Sequence, residues 1–120
     1  MHRGELQALL LRSLRQFPAA HAYMDQVLAQ RLQTVGAKHE DYAMALMHKG
    51  MVYEAENRFE AAEPLYEQAF QIAEDTLGYD HPIAQEIEVN LKLMRSRKVK
   101  MILGQPGRSE AAEESTAQAD

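Results

Sequence analysis

Apolar residues recur along this chain three and four positions apart, the spacing that gathers side chains on one side of a helix. In a segment that begins near Asp41 and ends at Ala55, Ala43, Leu46, Gly50 and Tyr53 form such a stripe. It includes small residues, which suit close contact with a neighbouring helix. Arg58 is expected to turn the chain, and Ala62, Leu65, Tyr66, Ala69, Phe70 and Ala73 define the next stripe. Pro64 is expected in that helix's first turn or just beyond, where a missing N–H is tolerated. Gly78, after Leu77, suits the left-handed conformation that closes a helix. Asp80 is placed to cap the next helix and Pro82 to sit in its first turn, and Ile83, Ile87, Leu91 and Met94 mark its apolar face.

The pattern also repeats. Phe17, Ala19 and Ala20 recur as Phe59, Ala61 and Ala62, an offset of 42 residues. At the same offset Gln26 meets Gln68, Thr34 meets Thr76, Gly36 meets Gly78 and His39 meets His81. These are 7 identities in the 23 positions from 17 to 39, where average composition gives roughly one or two. A helical period near 40 residues points to an α-solenoid, because one helical hairpin cannot bury its apolar face alone.

Three segments together, Gly50–Tyr53, Arg58–Ala69 and Leu77–Pro82, resemble tetratricopeptide repeats. The 42-residue spacing and the loop Leu77-Gly78-Tyr79-Asp80-His81-Pro82 are similar to the kinesin-light-chain type of that repeat. The resemblance implies an all-α fold: antiparallel helical hairpins stacked as a short α-solenoid of about two and a half repeats and five helices. Repeats are expected over residues 1–40 and 41–82, with a terminal capping helix over 81–100 and a disordered acidic tail over 101–120. Lys92 stands where the family has a small residue, as at Ala8 and Gly50, so the last helix reads as a cap with a solvated outer face. In the tail, Gly104, Pro106 and Gly107 break helices, and too few apolar groups follow to offset the entropy of ordering.

Composition narrows the chemistry. The chain has 120 residues and no cysteine, which excludes disulfides, thiol nucleophiles and zinc ribbons together. No apolar run approaches the roughly 20 residues of a membrane span. No secretory signal precedes the first helix, so a cytoplasmic protein is expected. None of the four serines lies in a glycine-rich elbow, and no phosphate-binding glycine loop occurs. His39 and His81 occupy equivalent loop positions and are expected to bond backbone groups at the turns. A metal site from His39, Glu40, Asp41 and His48 is disfavoured, because His48 lies on a different helix face. No catalytic residue, metal or cofactor is expected.

By the resemblance, the first helix of each repeat lines a concave surface that binds a partner's extended or helical segment. The corresponding residues are Leu6, Leu9 and Arg12 in the first repeat, and Met44, Met47, His48, Met51 and Glu54 in the central one. In the last helix they are Glu86, Val89, Asn90 and Leu93. Met44, Met47 and Met51 share one helix face by spacing alone, and methionine adapts readily to varied partners. Some members of the family hold a peptide's terminal carboxylate with cations at these places. Here Glu5, Leu9, His48 and Glu86 stand there, so such a clamp is not expected. The expected function is a non-catalytic adaptor for a protein or peptide partner. The alternative is a module that self-assembles into homo-oligomers through its end faces.

The net charge of −5 hides a strong pattern. Residues 1–38 carry five bases against two acids, residues 39–88 two against twelve, and residues 89–100 five against none. The acidic middle disfavours nucleic acid. Arg95, Arg97, Lys98 and Lys100 are expected to meet the tail, a neighbouring copy or an acidic partner.

Overall fold

The structure is a computed structural model, and it describes residues 7–11 and 15–104. Residues 7–11 are helical (α1), followed by α2 (Phe17–Thr34), α3 (Glu40–Ala55), α4 (Phe59–Leu77) and α5 (Pro82–Gly104). Each of α2 to α5 packs on the next, and α3 also touches α5. The fold is the all-α, tetratricopeptide-like solenoid that the repeat implies. Leu6, Arg12 and residues 105–120 lie outside the described residues.

The connections follow from a few residues. At the end of α2, the Val35 and Gly36 N–H groups both close on the Arg31 carbonyl, at 2.9 and 3.0 Å. Gly36 has φ 90° and its repeat equivalent Gly78 φ 96°, a region where a Cβ is strained. Between α3 and α4 the reversal falls on Asn57, at φ 62°, rather than on Arg58. Asparagine tolerates that conformation better than most side chains. Arg58 instead supplies the carbonyl that accepts from Ala61 and Ala62 as α4 begins. Pro64 is the sixth residue of α4, just beyond its first turn as expected. It removes the N–H that would reach the Glu60 carbonyl, and its exposed position leaves that carbonyl to water.

Two histidines start helices. His39 Nδ1 accepts from the Asp41 backbone N–H at 3.0 Å, and His81 Nδ1 accepts from Ile83 at 3.1 Å. The cap of α5 is therefore His81 and not Asp80. Each ring satisfies one of the amides that a helix N-terminus leaves unpaired.

The core forms two clusters that share α3. Ala43, Leu46 and Met47 join Phe59, Ala62, Tyr66, Ala69 and Ala73 of α4 and Ala84, Ile87, Leu91 and Met94 of α5. Ala45 and Val52, on the other side of α3, join Ala8, Ala20, Met24 and Val27. Gly50 lets α3 approach α4 closely, because an added Cβ there would lie 3.2 Å from the Tyr66 ring. Buried Ile87, Leu91 and Met94 anchor α5, each contributing about 1.5–3 kcal/mol. That helix runs to Gly104, past the expected end at residue 100, with Met101 packed against the central cluster.

Candidate functional site

The first helices of adjacent repeats, α3 and α5, flank a groove. One cavity of about 230 Å³ is lined by Met51, Glu54, Ala55, Asn90, Leu93 and Arg97. A second, of about 730 Å³, continues past the end of α3 between Asn57, Phe59, Lys100, Met101 and Gly104. Glu54, Ala55 and Arg97 line both, so the two cavities adjoin. The larger one lies where α5 runs past the turn between α3 and α4.

Glu54 is the chemical centre of this groove. Its Oε1 accepts from the Tyr66 hydroxyl at 2.7 Å, and its Oε2 is paired with the Arg97 guanidinium. A buried carboxylate needs such partners, and here they come from α4 and α5. With both oxygens engaged, Glu54 fixes helix positions and leaves no free base. Arg97 remains mostly exposed, so a cation borders the apolar lining of the groove.

The residues expected to line the concave surface divide. Met51, Glu54, Asn90 and Leu93 come together in the cavity. Val89 and Glu86 are exposed on α5, and Leu9 is half-buried. Met47, only 1% exposed, belongs to the core, and Met44 packs partly against the same cluster. His48, at 5% exposure, is buried as well. The reason is that α3 has neighbours on three sides, so most of its methionine stripe is covered. Asn90 reaches across to within 3.6 Å of the Met47 sulfur while donating to the Glu86 carbonyl at 2.9 Å. Phe59, Arg97, Lys100 and Met101 were not expected in the groove. The long basic stretch of α5 is the only signal in the sequence for Arg97 and Lys100, and Phe59 and Met101 come from the ends of α4 and α5.

That basic stretch meets the acidic middle of its own chain. Arg95 donates to Glu63 and Glu67, both at 2.7 Å, and Lys98 donates to Glu63 at 3.2 Å. The hydrogen bond from Arg95, with help from Lys98, holds the Glu63 carboxyl below the usual carboxylate range against the opposing effect of burial. On the other side of α3, His21 bonds Glu56 at 2.7 Å and packs at a tilt on Tyr53 with centroids 4.2 Å apart. The Arg58 guanidinium lies over the same ring. Lys49 also lies over it and pairs with Asp25 of α2. These contacts fasten α2 to α3.

Among the described residues, no group of three or more His, Cys, Asp or Glu is placed to hold a metal ion. Among them, too, no helix is long and apolar enough to cross a membrane. No curated protein matches the chain. A family model described as tetratricopeptide repeat matches residues 3–84, well over half of the 120. The chain belongs to the tetratricopeptide repeat family, whose members are generally non-catalytic modules of protein–protein interaction.

Proposed function

We propose that this protein is an adaptor that holds a peptide or helix of a partner protein in the groove between α3 and α5. The observation that carries this reading is the pair of adjoining cavities over Met51, Ala55, Leu93, Phe59 and Met101, the larger one mostly apolar, with Arg97 and Asn90 beside them. Apolar lining with a few polar groups is what orients a bound segment. The 42-residue offset and the loop 77–82 favour the kinesin-light-chain type of repeat, and the absence of cysteine agrees with a cytoplasmic setting.

The test is selection of binding peptides from a random displayed library, followed by amide shift mapping. Shifts clustered on residues 51–59 and 90–101, lost in Ala55→Trp with helicity retained, support the groove. Binding that survives Ala55→Trp unchanged overturns it. Met47 is unsuitable for such a test, because a charge there disrupts the core. A second reading is self-assembly, favoured by the apolar side chains that α5 leaves uncovered.

A further inference from the structure

Among the described residues, five of the nine exposed large apolar side chains belong to α5: Val89, Leu93, Val99, Ile102 and Leu103. Four of them follow a symmetric pattern. Val89 stands seven residues before Ser96 and Leu103 seven after, while Leu93 stands three before and Val99 three after. Offsets of three and seven return to one side of a helix, so these four flank Ser96 on a common face. That face lies away from the one buried through Ala84, Ile87, Leu91 and Met94. The four side chains are 53%, 50%, 53% and 60% exposed in chain order, and Ser96 at their centre is exposed too.

We propose that this face of α5 pairs with the same face of a second copy, antiparallel, about a two-fold axis passing by Ser96. The proposal rests on the self-assembly reading and is independent of peptide binding in the groove. Under that axis Val89 meets Leu103 of the second copy and Leu93 meets Val99. Ser96 meets its own equivalent, where a small side chain lets the helices approach. An isologous contact of this kind is self-complementary by construction.

The charges allow it. Arg95, Arg97 and Lys98 are already matched by Glu63, Glu67 and Glu54 within the chain, so they add little repulsion between copies. Lys92 and Lys100 are left, four residues either side of Ser96, and the axis sets each opposite the other's equivalent. Lys92 is also loosely paired with Glu88, at 3.8 Å. Both lysines can lay their stems along the contact and keep their ammonium groups in water. Lys92 and Glu88 stand where α3 has Gly50 and Leu46, so a close intrachain type of packing is blocked. A shallower contact between long helices is what remains. One helix per copy makes a small interface, so micromolar association is expected.

The chain contains no cysteine, so single cysteines report geometry directly. In the full-length protein, Ser96→Cys is expected to form an intermolecular disulfide under mild oxidation, because the axis brings the two side chains together. Leu103→Cys alone is expected to stay unlinked, and mixed with Val89→Cys to give the heterodimer. Sedimentation should show reversible dimers that tighten with added salt and tighten several-fold in Lys92→Glu, which faces Lys100. Leu103→Glu should be monomeric with unchanged helicity.

A monomer at every concentration overturns the proposal. Self-linking of Leu103→Cys as fast as Ser96→Cys, or unchanged dimers in Leu103→Glu, does the same. Ala55→Trp leaves this dimer intact and Leu103→Glu leaves groove binding intact, so the two readings fail separately. Leu93 borders both surfaces and is kept out of the variants.

Discussion

Helices α3 and α5 hold the same place in successive repeats, yet one is enclosed and the other is covered along one side. On α3, Leu46 and Gly50 face packed neighbours; the equivalents on α5 are Glu88 and Lys92. Tyr53 and its equivalent Arg95 both meet the preceding helix, Tyr53 packing at a tilt on His21 of α2 and Arg95 reaching two carboxylates on α4. The repeat fixes where a helix starts and which face it buries inward. The residues on the other face record whether another helix follows. The difference shows how a solenoid ends: the backbone plan continues while the outward positions change from close packing to solvation.

The largest test exchanges the residues at one equivalent position. Lysine at Gly50 meets the Tyr66 ring and the Ala62 carbonyl within 3.4 Å, so α4 must move and a charge is buried. Gly50→Lys should therefore destabilise by about 3 kcal/mol or more. Lys92→Ala, on the exposed side of α5, should change stability by less than about 0.5 kcal/mol. Urea denaturation followed by circular dichroism compares them. Similar losses for both variants would show that α3 is not enclosed as described.

Much of this contrast was legible in the sequence, and the rest had a definite reason for being hidden. The offset of 42 residues located the helices and loops, and Lys92 marked the cap before any coordinates. Spacing also put Met44, Met47 and Met51 on one face, but a face does not say which neighbour covers it. Met47 is buried because Asn90 and the rest of α5 pack above it, a contact 43 residues away. The trio of Glu54, Tyr66 and Arg97 was invisible for the same reason, since each residue comes from a different helix. The last turn of α5 is not legible in the sequence, because glycine breaks a helix interior but is tolerated at a C-terminal end such as Gly104.

A smaller effect separates the two helix starts. His39 and His81 make the same bond, but residue 41 is an aspartate and residue 83 an isoleucine. Removing either cap should cost about 1 kcal/mol. The consequence should differ, because α5 has no helix on its outer side to hold its first turn. In His81→Ala, amide exchange should accelerate at residues 83–86, whereas His39→Ala should leave residues 41–44 better protected. Equal exchange in both variants would remove the distinction between enclosed and open helices.

The smallest expected effect concerns the ion pairs that fasten α5 to α4. Glu63 is held ionised below the usual carboxylate range by Arg95, and the Arg95 guanidinium is held charged by Glu63. A carboxyl whose folded value is lowered contributes its stability above the ordinary range of an unfolded glutamate. It loses that stability as pH falls through the folded value. Both partners are partly exposed, so the ladder is worth about 0.5–1 kcal/mol after screening. Arg95→Ala should thus be less stable than the wild type at neutral pH, and the gap should narrow through the acidic carboxylate range. Added salt should narrow it as well. Tyr53→Ala, at the equivalent place on α3, removes ring packing instead, so its loss should respond less to salt. A gap for Arg95→Ala that stays constant from neutral to acid pH would mean that α5 is held by its apolar face alone.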